Sequence, residues 1–396
     1  MSSHAQAKSL KLPIYMDNQA TTPVDKRVLE AMLPYFNELY ANASSTDHRP
    51  GAAAAAAVEN ARTQVASIVG AKEEEIVFTS GATESDNLAL QGVAVQLKEK
   101  GNHIITCATE HKAVLDACEY LHSRGWSVTV LPVDSRGDID LKALESEIRP
   151  ETVLISLMLA NNEIGTILLA EEVGRIAKDH GVLFHTDAAQ AVGHIPVDVN
   201  RMSIDLMSIS GHKVYGPKGV GALFIRRHNP RVKLTPLVYG GGQERGLRSG
   251  TLNVPGIVGL GKALEIANRE MNSEAKRLSG WTSTMRTEFV NAVEGAEQNG
   301  HPTRRLPHNL NMFFPGVESK AVIQAESSDL AMSAGSACTT NETKPSHVIL
   351  ALGFGPERAH SSIRFGLGRF NTEEEVRYAI DEVVEVVHKL QKIRVA

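Results

Sequence analysis

Cysteine is scarce in this sequence of 396 residues, which contains three, Cys107, Cys118 and Cys338. Because the three are odd in number and far apart, they form neither a disulfide framework nor a zinc-binding spacing, so we predict a reducing compartment and no metal site. Positive charge is not in excess, since the net charge is -5, and this argues against direct nucleic-acid binding. No apolar run approaches the ~20 residues of a membrane-spanning helix, so we expect no membrane partner.

The repeating pattern between residues 70 and 226 is a short apolar run followed by a helical stretch. Such runs indicate strands that are buried on both faces, and their alternation with helices is typical of a mainly parallel sheet covered by helices. Strands are predicted over 76–79, 103–107, 127–131, 153–158, 182–186, 204–209 and 220–225, and helices over 84–99 and 112–124.

The two ends of the chain have a different pattern. Amphipathic helices are predicted over 25–39 and 372–392, and the second begins with Thr372 and Glu375 spaced as a capping box. A chain of this length is too long for one ordinary core. We therefore predict a large α/β domain over 21–254 and a smaller α+β domain formed by 1–20 and 255–396.

Polar and reactive side chains follow five of the predicted strands. The carboxyl ends of parallel strands lie at one edge of a sheet, where ligands bind in open α/β folds. We therefore predict a ligand site at this edge. The strand ends deliver the turn Ser80-Gly81-Ala82-Thr83 and the side chains of His111, Asn161, Asn162, Asp187, Gln190, Ser210, His212 and Lys213.

Each of these features also has a plain structural explanation. The glycine-containing turn either binds an anion through exposed N–H groups or is simply tight. Asp187 either meets a ligand or caps the next helix, and His111 alone is better explained as a histidine that starts a helix. Lys213 either forms a Schiff base or lies in solvent. Together they match pyridoxal phosphate, which needs a lysine, a carboxylate for its pyridinium nitrogen, an anion cradle and a group over its ring.

Long, ordered motifs run through nearly the whole chain, from about Leu12 to the mid-380s. They include F-T-S-G-A-T-E-S-D-N, T-E-H-K-A-V-L-D, H-T-D-A-A-Q-A-V-G, S-G-H-K-V-Y-G-P-K-G, S-A-G-S-A-C-T and A-H-S-S-I-R-F-G-L-G-R-F. In these motifs the sequence resembles the cysteine desulfurase family, and within it the housekeeping branch that serves iron–sulfur cluster assembly and tRNA thiolation.

The resemblance implies a fold-type I pyridoxal-phosphate transferase that forms a homodimer, with the cofactor in the large domain. Lys213 would carry the cofactor, Asp187 would pair with its pyridinium nitrogen, and His111 would stack on its ring. Asn162 and Arg364 would bind the substrate carboxylate, a task that suits a planar guanidinium. The other implied cofactor contacts are Ala82, Thr83, Asn162, Gln190, Ser210, His212 and, toward the neighbouring subunit, Thr251.

The implied reaction converts L-cysteine to L-alanine and leaves the sulfur on Cys338 as a persulfide. Cys338 lies in a small, polar stretch of the predicted smaller domain, whereas Cys107 and Cys118 lie in apolar runs and are predicted to be structural. The resemblance further implies delivery of sulfur to an iron–sulfur scaffold protein and to thiolation acceptors. The expected location is the cytoplasm, with the mitochondrial matrix as the alternative.

Three other functions remain open at this point. A selenocysteine lyase has overlapping chemistry, and relative rates on the two substrates separate it from a desulfurase. An aminotransferase has no need of Cys338. A non-catalytic scaffold has no physical reason to keep Lys213, Asp187, His111 and Cys338 together.

Overall fold

A computed structural model describes residues 10–334 and 345–395 of the chain. The strands are β1 (Ile14–Tyr15), β2 (Ile76–Thr79), β3 (His103–Cys107), β4 (Ser127–Leu131), β5 (Thr152–Ser156), β6 (Leu183–Asp187), β7 (Leu206–Ser210), β8 (Gly221–Ile225), β9 (Glu297–Gln298), β10 (Asn309–Phe313), β11 (Leu330–Ala331) and β12 (Ser362–Gly366). The helices are α1 (Lys26–Met32), α2 (Pro34–Asn37), α3 (Arg49–Val69), α4 (Ala82–Gln96), α5 (Lys112–Ser123), α6 (Leu141–Ser146), α7 (Ala170–Asp179), α8 (Val254–Ala292), α9 (Ser319–Ala325), α10 (His347–Ala351), α11 (Pro356–His360) and α12 (Glu373–Val395).

The seven predicted strands form one sheet in the order β2-β8-β7-β6-β5-β3-β4. Strands β4, β3, β5, β6 and β7 are parallel to one another. Strand β8 is antiparallel to both β2 and β7, so β2 runs in the same direction as β7. The carboxyl ends of β2, β3, β5, β6 and β7 therefore lie at one edge, as predicted. This mainly parallel sheet confirms the predicted fold-type I α/β fold.

Helices cover both faces of this sheet because alternate residues of a strand point to opposite faces. Ile105 packs with α3, α7 and the first half of α8, whereas Ile104 packs with α4 and α5. Both side chains are fully buried. Because helices cover both faces of the sheet, both sets of alternate side chains are apolar, and the strands appear in the sequence as continuous apolar runs.

Two small sheets lie in the rest of the chain, one with the antiparallel order β12-β10-β9 and one in which β1 and β11 are parallel. Their core includes Phe289, Phe314 and Phe365. Helix α8 contributes to both cores, with Leu260 in the core of the large sheet and Phe289 in the second. Because one helix serves both cores from the predicted boundary onward, the division at residue 254 stays a prediction.

The predicted helix over 25–39 is wrong as a single element. It divides into α1 and α2 at Leu33, because Pro34 begins a new helix as its first residue. The predicted capping box is confirmed: Glu375 Oε2 accepts from the Thr372 N–H at 3.1 Å, and Thr372 Oγ1 accepts from the Glu375 N–H at 3.2 Å. Among the described residues, no helix combines the length and the apolar character that a bilayer span requires.

Candidate active site

A cavity of about 530 Å³ lies at the carboxyl edge of the large sheet. It brings together nearly all the residues that the sequence predicted for the site. Thr251 is exposed and Asn161 is buried, and neither lines the cavity. Cys338 lies outside the described residues. The predicted residues that line it are Ala82, Thr83, His111, Asn162, Asp187, Gln190, Ser210, His212, Lys213 and Arg364.

One end of the cavity is formed by the turn between β2 and α4. Gly81 has a φ of +151°, a conformation that favours glycine, and a Cβ there would point into open space. Gly81 is also the N-cap of α4 and provides no side chain to cap it. The first N–H groups of a helix have no acceptor within the helix, so this turn offers donors and the positive end of a helix dipole to an anion.

His212 lies at the same cavity, directly after β7. Its Nδ1 is 3.1 Å from Thr21 Oγ1. Burial, reinforced by the charges of Lys213 and Lys218, lowers the pKa of His212 to about 4. The ring is therefore neutral near pH 7 and meets an anion as a hydrogen-bond donor rather than as a cation.

Lys213 follows β7 and is half-buried. Its Nζ donates to the carbonyl oxygens of Gln19 at 2.6 Å and Ala20 at 2.7 Å. The backbone of the same residue is also held, because its carbonyl oxygen lies 2.9 Å from His194 Nε2. These contacts place the amine in the cavity wall rather than in solvent.

Asp187 ends β6 and is 6% exposed. Its Oδ1 accepts from the N–H of Ala189 at 2.8 Å, so the carboxylate also stabilises the turn that follows the strand. Burial raises the pKa of Asp187, and the charges of His111 and Lys213 partly oppose this rise. A buried carboxylate of this kind gains from a cationic partner. Gln190, three residues later, donates from Nε2 to the Gln19 carbonyl at 2.9 Å.

His111 combines the two roles that its position in the sequence allowed. It is the N-cap of α5, where its Nδ1 accepts from the N–H of Ala113 at 3.2 Å, and its ring also lines the cavity. Accepting at Nδ1 leaves the proton of a neutral ring on Nε2. The structural and the functional explanations of this histidine are therefore compatible.

Arg364 comes to the cavity from β12, in the smaller sheet. Its side chain is 1% exposed; Nη1 donates to the Asn162 carbonyl at 3.0 Å and Nη2 to Asp17 Oδ1 at 2.7 Å. A guanidinium offers five N–H donors in one plane, which suits recognition of a carboxylate. The position of Arg364 therefore allows it to bind the carboxylate of an amino acid.

The segment from Asp17 to Thr21 is the part of the site that strand-end reasoning missed. Gln19, Ala20 and Thr21 line the cavity, but they precede every strand of the large sheet. The available signal was the polar run D-N-Q-A-T-T after a short apolar segment. Only tertiary packing brings this run to the sheet edge.

Pyridoxal phosphate fits this arrangement on two observations. The uncapped glycine turn at the start of α4 is open to the cavity and suits a phosphate. The buried carboxylate of Asp187 at the same cavity suits the pyridinium nitrogen. Among the described residues, no cluster of three or more histidine, cysteine or acidic side chains has the geometry to hold a metal ion.

Comparison with known proteins shows the family of this chain. The family model for aminotransferase class-V matches residues 14–378. Cysteine desulfurase IscS of Rickettsia africae is 50% identical over 98% of this chain and 94% of its own length. The protein of the same name from Anaeromyxobacter dehalogenans is 53% identical over 97% of this chain and 95% of its own length.

Solved structures are similar to this chain as well. A NifS-like protein superposes with a TM-score of 0.89 at 40% identity, covering 96% of this chain and 100% of the other. SspA in complex with cysteine superposes with a TM-score of 0.80 at 39% identity, covering 90% of this chain and 99% of the other. The chain belongs to the aminotransferase class-V family and, within it, to the pyridoxal-phosphate-dependent cysteine desulfurases.

Proposed function

We propose that this enzyme converts L-cysteine to L-alanine and that Cys338 receives the sulfur as a persulfide. The observation that carries the proposal is the convergence of Lys213, Asp187 and Arg364 on one cavity. These residues provide an amine for the cofactor, a carboxylate for its ring nitrogen and a guanidinium for an amino-acid carboxylate.

The cavity residues divide into those that hold the cofactor and those that hold the substrate. The N–H groups of Ala82 and Thr83, with Ser210 and His212, would hold the phosphate. Gln190 would contact the ring, whose face His111 would cover. Asn162 and Arg364 would hold the substrate carboxylate.

When bound, pyridoxal phosphate supplies an acceptor for the electrons released at the substrate α-carbon. Lys213 Nζ, positioned by two backbone carbonyls, is the base that moves the α-proton. Asp187, as the carboxylate, keeps a proton on the ring nitrogen. Cys338 as thiolate attacks the substrate sulfur, the carbon–sulfur bond breaks with its electron pair left on carbon, and a proton completes alanine.

The chain leading to Cys338 supports this assignment. Ser333, five residues earlier in the sequence, forms two backbone hydrogen bonds with Arg364. The Ser333 N–H donates to the Arg364 carbonyl at 3.3 Å, and the Arg364 N–H donates to the Ser333 carbonyl at 2.7 Å. Arg364 lines the cavity. The described part of this segment therefore lies beside the residue that would bind the substrate carboxylate.

The test is alanine formation from L-cysteine with a reductant, in the wild type and in Cys338→Ala. We expect alanine from the wild type and almost none from the variant. Cys118→Ala is the matched control, because Cys118 is a buried free thiol that does not line the cavity, and this variant should keep the wild-type rate. Full alanine formation by Cys338→Ala would refute the role of Cys338. A higher rate on selenocysteine than on cysteine would favour the lyase.

We also propose a homodimer in which Thr251 reaches the phosphate of the neighbouring subunit. The support is an exposed apolar surface on α1, α2 and the residues after them, together with the exposure of Thr251 itself. Its side chains are 42–75% exposed: Leu29, Leu33, Phe36, Leu39 and Tyr40. Sedimentation of the wild type and of Phe36→Asp tests this: we expect a dimer and a dissociated variant, and a monomeric wild type would refute it.

Downstream delivery is likewise a proposal. The resemblance favours an iron–sulfur scaffold protein and tRNA-thiolation enzymes as acceptors, and a cytoplasmic location, where thiols stay reduced. Transfer of labelled persulfide sulfur from the wild type, but not from Cys338→Ala, to a purified scaffold protein is the expected result. Persulfide that forms on Cys338 but never moves to the scaffold would refute this acceptor.

A further inference from the structure

Asp17 lies beside Arg364 because the backbone after β1 runs along β12. The N–H of Gly366 donates to the Met16 carbonyl at 2.6 Å, and the N–H of Asn18 donates to the Gly366 carbonyl at 3.1 Å. A Cβ on Gly366 would lie 2.8 Å from Asn18 N and would collide with the Gln19 side chain. Glycine at this position therefore permits the close approach that brings Asp17 to Arg364.

The contact between the side chains of Asp17 and Arg364 is a largely buried hydrogen bond between charged groups. Arg364 Nη2 donates to Asp17 Oδ1 at 2.7 Å, and the two side chains are 1% and 18% exposed. Nη1 is held from another direction by the Asn162 carbonyl at 3.0 Å. Two anchors on different nitrogens fix both the position and the plane of the guanidinium.

Arg364 lines the cavity, whereas Asp17 does not. Asp17 thus contacts the guanidinium from outside the cavity and reaches a ligand only through Arg364. It also balances a buried positive charge that would otherwise be costly.

We propose that Asp17 is a positioning residue that holds Arg364 in the orientation needed to bind the substrate carboxylate. This inference rests on the proposed function, in which Arg364 receives that carboxylate. Removal of the Asp17 side chain leaves Arg364 present but free to change its plane, so the loss is confined to ligands that carry a carboxylate.

Tyr15 provides a matched control on the same turn. Its hydroxyl donates to the backbone carbonyls of Asp17 at 3.1 Å and Thr21 at 3.0 Å. Tyr15→Phe therefore removes hydrogen bonds from this turn without removing the carboxylate that holds Arg364. A general loosening of the turn would affect this variant, and loss of the guanidinium anchor would not.

The experiment measures ligand binding to the cofactor-loaded enzyme through the absorbance of the cofactor, in a Cys338→Ala background that should bind substrate without turnover. L-cysteine is compared with cysteamine, which lacks the carboxylate. We expect Asp17→Ala to raise the Kd of L-cysteine about tenfold and to leave that of cysteamine unchanged. Asp17→Asn keeps an acceptor for Nη2 and should have a smaller effect, and Tyr15→Phe should affect neither ligand.

Two results would overturn the inference: an unchanged Kd of L-cysteine in both Asp17 variants, or an equal change for L-cysteine and cysteamine. Asp17→Asn keeps the test valid if Asp17→Ala does not fold. Alanine formation by the wild type separates the two proposals. Alanine without a difference between the ligands refutes the inference alone, and a difference without alanine refutes the proposed reaction alone.

Discussion

Two cavities of nearly equal volume lie at opposite edges of the large sheet, about 530 Å³ at the carboxyl edge and about 540 Å³ at the amino edge. The amino-edge cavity is rich in positive charge, and two of its cations are held by backbone carbonyls of the protein itself. Lys100 Nζ donates to the Gly181 carbonyl at 2.9 Å, and Arg226 donates to the carbonyls of Val199 and Ile204, each at 2.6 Å.

The carboxyl-edge cavity differs in what its walls offer. An uncapped helix start, a buried carboxylate and an amine come from three different strand ends and meet there. Volume therefore does not distinguish the two cavities, and the greater positive charge lies at the edge that lacks these groups. What distinguishes them is the kind of side chain that the loops deliver, because the loops after the parallel strands bring the reactive groups to the carboxyl edge.

The largest expected effect on activity comes from replacing a lysine. Lys213→Ala should lower alanine formation at least about a thousandfold, because it removes both the cofactor anchor and the base. Lys100→Ala, at the other cavity, should keep the wild-type rate. The assay is alanine formation together with the absorbance of bound cofactor. Comparable losses in the two variants would remove the distinction between the cavities.

A buried acid at each edge gives the next comparison. Asp187→Asn should lower kcat about a hundredfold, since the ring nitrogen loses its anionic partner. Asp205 is also buried, and burial raises its pKa to about 6, but it lines the amino-edge cavity. Asp205→Asn should leave kcat unchanged per folded enzyme. Steady-state kinetics at saturating L-cysteine measure both variants, and an unaffected Asp187→Asn would contradict the assignment.

A glycine at each edge tests the anion site. Gly81 and Gly181 both have positive φ, +151° and +66°, and an added Cβ meets no atom within 4 Å at either position. Both alanine variants should lose stability through backbone strain, by about 1–3 kcal/mol. Gly81→Ala alone should also raise the Kd for pyridoxal phosphate, about tenfold, measured by titration of the cofactor-free enzyme. Equal cofactor affinity in the two variants would argue against phosphate binding at this turn.

The last expected effect is on stability rather than on activity, and it concerns the pH dependence of a buried acid close to Asp187. Asp86 is fully buried in α4, and burial, with the nearby charge of Asp187, raises its pKa well above the usual value. A raised pKa in the folded state means that folding favours the protonated acid. Its contribution to stability is therefore present below about pH 4 and is lost as the pH rises through the folded pKa.

Asp86→Asn removes this titration. The free energy of unfolding of the variant minus that of the wild type should therefore increase as the pH rises from 5 to 8, by up to about 1.4 kcal/mol per pH unit. Urea unfolding at several pH values measures this. For Asp205→Asn the corresponding difference in free energy of unfolding should stop increasing near pH 6, where the pKa of Asp205 lies. Parallel curves for the wild type and Asp86→Asn would show that folded Asp86 does not keep its proton over this range.

Prediction from the sequence succeeded where the signal was local. The predicted strands of the large sheet agree with the structure to within two residues at each end, because apolar β-branched runs bounded by polar turns specify buried strands with little help from context. The same local rule failed over 25–39, where the apolar face continues across Pro34 although the helix does not. The periodicity of apolar residues indicates which side chains are buried, but it does not indicate where the backbone hydrogen bonding of a helix is interrupted.

The sequence by itself determined the chemistry of the site: the residues after the strands of the large sheet, their order and the family to which they belong. The tertiary structure decided which other residues join them. Arg364 and Asp17 are 347 positions apart, and they meet because Gly366 lets the segment after β1 lie against β12. Contacts of this range depend on how the two cores pack, and no pattern confined to a few neighbouring residues records that packing.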